Sequence, residues 1–166
     1  MSKPDIIVSL IQHDEFYFLG KEYSKLNADY GKIWDDFISA GGYDINKLYG
    51  KYSYDCMVIN HNINPDNHYY CPGVIVEKPV EIPDGFILMK FPAREYLQVT
   101  HEWVATKDDA LGQIGRIDEA ANNVVIPAGY IRHDGAGSQI EKIEVENMDT
   151  ENGSRWENWV PIKNID

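Results

Sequence analysis

Ile140-Glu141-Lys142-Ile143-Glu144-Val145 is the stretch whose residue types and spacing could do chemistry. Read as a strand, it sends alternate side chains to opposite faces. Glu141, Ile143 and Val145 then share one face, and Ile140, Lys142 and Glu144 share the other. The second face is largely charged and suits solvent, whereas the first is apolar apart from its one carboxylate. A carboxylate among buried apolar side chains is costly unless something pairs with it. No basic residue stands beside Glu141 on that face. Two readings stay open: a bulge or one-residue register shift turns Glu141 outward, or Glu141 is an acid that meets a cationic ligand. The chain is also rich in aromatic residues, with four Trp and eleven Tyr. Aromatic faces attract cations, and although core packing accounts for any single ring, a set of rings beside an inward acid points to cation binding.

Other constellations point to less. His101-Glu102 and His133-Asp134 belong to no HExxH motif and to no ligand cluster in sequence, so no metal is implied. There is no glycine-rich phosphate loop and no GxSxG elbow, and no cofactor is implied. Cys71 reads as a small buried thiol rather than a nucleophile. Cys56 and Cys71 make no CxxC spacing, so a reduced, cytoplasmic protein is the default reading, with a single disulfide left open by the count.

The whole chain of 166 residues has room for one domain, residues 1–166, with a real core. Its 43% hydrophobic content favours folding over disorder. A net charge of −12 opposes direct contact with nucleic acid and concentrates cations near the surface. Ile6 to Ile11 is too short for a signal peptide or a membrane span, which gives a soluble, unexported protein without a membrane partner.

The elements that must position these residues follow from pattern. Ile6–Ile11 and Phe16–Tyr23 read as one long or interrupted strand. Asp29 caps a helix whose Tyr30, Ile33, Trp34, Phe37 and Ile38 form one apolar stripe, and Gly41-Gly42 stops it. Leu48–Met57 reads as a strand and Asn60–Asn67, with Asn64-Pro65-Asp66, as a loop, before Tyr69–Glu77 returns as a strand. After Pro79 and Pro83-Asp84-Gly85 the order repeats. Phe86–Phe91 and Glu95–His101 are strand-like, and Thr106 with Asp109 opens a helix carrying Ala110, Leu111, Ile114 and Ile117. Glu146–Arg155 reads as a loop and Trp156–Ile162 as the last strand. Two strand–helix–hairpin units, about 1–80 and 81–166, give an α+β domain.

An ordered series of short pieces resembles the GyrI-like effector-binding domain, the small-molecule module of some AraC-type and MerR-type regulators. The pieces are Phe18-Leu19-Gly20, Ile33-Trp34-Asp35-Asp36-Phe37, Tyr69-Tyr70-Cys71-Pro72-Gly73-Val74, Pro92-Ala93-Arg94-Glu95-Tyr96, Gly129-Tyr130, Ile140-Glu141 and Trp159-Val160-Pro161-Ile162. The resemblance implies two βαββ units related by a pseudo-twofold axis, with a ligand groove between them. It places Glu141 at the groove floor, with Ile143 where the family usually has an aromatic residue. Trp34, Phe37, Tyr70, Tyr96, Trp103 and Tyr130 are then the candidate groove residues. No DNA-binding segment precedes the match, so the chain resembles a standalone version, similar to those carried alone or in mobile gene cassettes. The expected function is non-enzymatic binding of cationic, lipophilic aromatic compounds, as sensor or sequestering protein. Two alternatives stay open: an inhibitor that binds a DNA-handling enzyme such as gyrase, and a hydrolase of small electrophiles with Glu141 as base beside Tyr130. A protein partner (a transcription regulator or a topoisomerase) and a homodimer are also left open.

Overall fold

Runs of β-branched and aromatic residues carry most of this chain into strands. The structure, a computed structural model, describes residues 3–50, 54–64, 67–77, 80–134, 140–149 and 151–166. In chain order it contains β1 (Ile6–His13), β2 (Phe16–Gly20), β3 (Tyr23–Ser24), α1 (Tyr30–Ser39), α2 (Gly42–Tyr49), β4 (Tyr54–Asn64) and β5 (Asn67–Val76). It continues with β6 (Ile87–Phe91), β7 (Arg94–His101), α3 (Lys107–Leu111), α4 (Ile114–Asn122), β8 (Tyr130–Arg132), β9 (Ile140–Asp149) and β10 (Gly153–Asn164). The strands form one antiparallel sheet in the order β1-β7-β10-β9-β4-β5-β2-β6, with β3 paired to β5 and β8 to β10. The fold is α+β.

Helix α1 starts where the capping pattern places it, with the Asp29 carboxylate accepting from the Lys32 N–H. Its stripe buries Ile33 and Phe37. Gly41 ends it in the left-handed region at φ 90°, which glycine adopts without strain. A second helix, α2, then begins at Gly42, and the strand expected from Leu48 starts at Tyr54 instead. A side chain at Gly42 would meet the Phe37 ring at 2.3 Å, so its absence lets α2 lie against α1. Two expected loops are shorter than read. Strand β4 runs on to Asn64, and β9 and β10 carry the hairpin out to Asp149 and Gly153. Polar side chains there are compatible with strand because ladder bonds, not side chains, satisfy the backbone. Pro65-Asp66 and Pro79 lie outside the described residues.

Both faces of the sheet are packed. Beneath α1 and α2, Leu19, Val74, Val76 and Phe86 join Phe37 and Ile45 in one core. On the same side, Leu97, Val99, Trp156, Val160 and Ile162 pack with Ile117 and Ala121 of α4. The opposite face holds a third core, built from Phe16, Phe18, Ile59, Cys71, Ile75, Phe91, Tyr96, Ile140, Ile143, Val145 and Trp159. Residues of β1 and of β6, the two ends of the strand order, pack on that third core, so the sheet curls around it. The two helix pairs leave the central strands β4 and β9 between them.

Candidate functional site

The site is set by an irregularity in β9. Its pairing with β4 shifts register where Asn60 faces Lys142 and His61 faces Ile140, so Glu141 is the extra residue of a bulge. Ile140, Ile143 and Val145 all reach full burial in the third core despite the three-residue step between the first two. The expected inward, unpaired Glu141 is therefore corrected. The bulge turns its carboxylate out of the apolar set, where Lys25 Nζ donates to Oε2 at 2.8 Å and the His68 ring meets Oε1. Burial alone would push its pKa up, but Lys25 and His68 hold it below the usual glutamate range.

From Lys142 onward the strand alternates regularly, and Lys142, Glu144 and Glu146 point to the helix side. That face was expected to meet solvent. Instead Glu144 is 8% exposed and Glu146 6% exposed, at the base of a cavity of about 330 Å³. Its walls come from both helix pairs: Trp34 and Ile38 of α1 and Tyr43 of α2 on one side, Lys107, Leu111 and Ile114 of α3 and α4 on the other. Val58, Tyr70 and Trp156 complete it from the sheet. This volume and its mostly apolar lining suit a small organic molecule.

Glu144 carries the unusual electrostatics. Asn60 Nδ2 donates to its Oε2 at 3.0 Å, and Lys142 Nζ stands 3.9 Å from Oε1. Lys142 is held closer to Asp118, at 3.0 Å, and Asn158 Nδ2 also donates to that aspartate. Burial pushes the Glu144 carboxyl above the usual glutamate range, and Lys142 and Asn60 offset only part of it. Glu144 and Tyr70 also line a second, polar chamber of about 280 Å³ with Lys25, Tyr30, Asn60, Asp118 and Lys142. Glu144 thus stands at the divide between an apolar cavity and a polar one.

Of the residues proposed from sequence, the structure brings Trp34 and Tyr70 together on the cavity wall. The indole N–H of Trp34 donates to the Tyr70 hydroxyl at 3.1 Å. Phe37 lies behind them, edge-on to Trp34 at 5.6 Å and buried in the core under α1. Tyr96 is fully buried on the far face of the sheet beside Trp159. Trp103 stacks under the Arg155 guanidinium at 4.3 Å, and Tyr130 donates to Glu95 Oε1 at 3.2 Å; neither lines the cavity. Sequence reasoning passed over Tyr43, Lys107, Glu144, Glu146 and Trp156. A signal for the outward turn of Glu141 was present, since Ile140 and Ile143 cannot share a buried face with Val145 unless the strand bulges between them. Nothing local marks Glu144 and Glu146 as buried. Among the described residues no group of three or more His, Cys, Asp or Glu side chains could hold a metal ion, and no helix is long and apolar enough to cross a membrane.

The fold has known counterparts. A structure of SAV2435 bound to tetraphenylphosphonium aligns with a TM-score of 0.65 at 12% identity, covering 95% of this chain and 94% of that one. An integron cassette protein from the mobile metagenome of Vibrio cholerae aligns at 0.58 and 11% identity, covering 94% and 95%. The C-terminal domain of EcmrR aligns at 0.54 and 14% identity, covering 96% and 99%. No curated protein matches the sequence. The model of the integron-associated effector binding protein family matches residues 13–162, nearly the entire sheet with all four helices, and the chain belongs to that family.

Proposed function

We propose that this chain binds cationic, lipophilic aromatic molecules in the cavity over β4 and β9, and acts by binding rather than by turnover. The observation that carries the reading is Glu144, a nearly buried carboxyl at the base of a cavity walled by Trp34, Tyr43, Tyr70 and Trp156. Such a carboxyl gains most from a partner that brings positive charge and is itself cheap to desolvate. A delocalised aromatic cation meets both demands, because its charge is spread over a weakly hydrated surface that also packs on the rings. Flat apolar walls impose little directional demand, which favours a broad ligand range. The binding of tetraphenylphosphonium by SAV2435, at similar fold, supports the same class.

The units β2–α1–α2–β4–β5 and β7–α3–α4–β9–β10 take matching places in the strand order on either side of the β4–β9 pair. That arrangement supports the reading of two pseudo-twofold halves with the ligand between them.

Calorimetric titration with tetraphenylphosphonium and with neutral triphenylphosphine oxide tests the proposal. The cation is expected to bind the parent protein, and Glu144→Gln to cost about 1–3 kcal/mol of that affinity, the scale of two unit charges several ångströms apart at a protein-like dielectric, while the neutral probe is unaffected. Equal binding of the cation by parent and Glu144→Gln would overturn the role of Glu144. Turnover of a strained ester or epoxide by the parent would overturn the non-catalytic reading.

A further inference from the structure

The cavity already contains a cation, and it belongs to the protein. Lys107 is the first residue of α3, placed there by Thr106, whose hydroxyl accepts from the Asp109 N–H at 3.1 Å. Its side chain crosses the cavity to the other helix pair. The ammonium lies 3.1 Å from Glu146 Oε1 and 5.4 Å from the centre of the Tyr43 ring of α2. An acid and an aromatic face are the two components that recognise an ammonium group. The Glu146 side chain is 7% exposed and cannot follow its partner into water, whereas the Lys107 side chain is 38% exposed on a flexible four-carbon stem. One member of the pair is fixed in the cavity and the other can leave.

We infer that Glu146 and Tyr43 form a second cation subsite, selective for N–H donor cations such as amines and amidinium groups, and that Lys107 fills it in the empty protein as a tethered competitor. The inference rests on the proposed cation-binding reading and deepens it. Two residues along β9 from Glu144, Glu146 lies about 7 Å further along the same face, so the two acids make separate demands. Glu144, with its N–H donor Asn60 already in place, takes a diffuse cation. Glu146, whose resident partner is an ammonium held as an ion pair, takes a group that brings a positive charge and donates N–H bonds to its carboxylate. A cation without N–H donors cannot make that exchange and leaves Lys107 where it is.

The test uses 2-naphthamidine, its neutral isostere 2-naphthamide and tetraphenylphosphonium, titrated by calorimetry against the full chain, Lys107→Met, Glu146→Gln and the double variant. Removing the competitor frees a part-exposed ion pair and one ring contact, so Lys107→Met is expected to bind naphthamidine about tenfold more tightly. Adding Glu146→Gln should remove that gain, and naphthamide should bind all four proteins alike. Thermal unfolding checks each variant, and Lys107→Gln replaces Lys107→Met should the latter fail to fold. If the parent binds tetraphenylphosphonium in a Glu144-dependent way but Lys107→Met gains nothing for naphthamidine, Lys107 only ties the helix pairs together and the inference fails alone. If the parent binds no cation, the reading beneath it fails as well.

Discussion

Glu141 and Glu144 stand three residues apart on one strand and are treated in opposite ways by the fold. Glu141 sits in the bulge, with two basic partners and a pKa held low. Glu144 sits in regular strand under the helices, with an amide donor, a more distant ammonium and a pKa pushed up. The charge of Glu141 is neutralised by the chain itself. That of Glu144 is neutralised only in part, which leaves room for a ligand to supply the remainder. A single inserted residue takes Glu141 off the core face, whereas Glu144 keeps the helix-side face that regular alternation from Lys142 gives it.

The comparison breaks first at the bulge itself. If Glu141 is the extra residue, Ile140 is core, as its complete burial requires. Ile140→Ala should then cost about 2–5 kcal/mol, measured by urea denaturation. A loss below about 0.5 kcal/mol, the usual surface value, would place Ile140 in solvent and return Glu141 to the inward face.

The next largest effect concerns how Glu144 answers to pH. Its pKa in the folded, empty protein is raised above that of the unfolded chain, so the folded state holds the proton more tightly. The associated stability is fully present below the unfolded value and is lost as pH rises through the raised folded value. Cation affinity runs the other way and should climb over the same window, by at most about tenfold per pH unit. Glu144→Gln should flatten both profiles. A parent protein whose tetraphenylphosphonium affinity does not rise as pH climbs above the ordinary glutamate range would show that Glu144 is not the counter-charge.

A smaller effect separates the two tryptophans proposed from sequence. Trp34 lies on the cavity wall with its N–H on Tyr70, whereas Trp103 is covered by Arg155 away from it. Trp34→Leu should weaken cation binding by about 0.5–2 kcal/mol, the range of a cation–ring contact. Trp103→Leu should leave affinity unchanged and lose only stability. Saturable fluorescence quenching by an aromatic cation that is reduced in Trp103→Leu and unchanged in Trp34→Leu would reverse the assignment, Trp156 supplying the remaining signal in either case.

How much of this was legible depended on the range over which the signal acts. Helix α1, its Asp29 cap and the strands that precede it rest on neighbours a few residues apart, and they are where the sequence places them. The partners of Glu141 were not legible, because Lys25 and His68 lie 116 and 73 residues away in the chain. Nor was the burial of Glu144, since a charged strand face reads as solvent-facing until helices from both halves are known to stand over it. Helix α2 was missed because Gly41-Gly42 signals a stop and equally permits a tight restart against Phe37. The bulge had left a trace in the spacing of Ile140 and Ile143, but a strict two-residue period was the simpler reading and it won.

The smallest expected effect tests the Glu141 end of the comparison. Its pair with Lys25 is only partly buried, with side-chain exposures of 24% for the lysine and 22% for the glutamate. Such a pair contributes about 0.2–1 kcal/mol, less at high salt. Because the folded pKa is depressed, that stability is present above the unfolded glutamate value and is lost as pH falls through the lower folded value. Glu141→Gln should therefore cost up to about 1 kcal/mol at neutral pH and less as the solution is acidified. That is the opposite sense to Glu144→Gln, which removes a buried charge compensated only in part and should leave the empty protein as stable or more so at neutral pH. Denaturant midpoints for both variants, at neutral pH and again near the ordinary glutamate pKa, give a definite pattern of signs. Were Glu141→Gln stabilising at neutral pH and Glu144→Gln destabilising, the two carboxylates would have exchanged roles, and the ligand site would belong at the bulge.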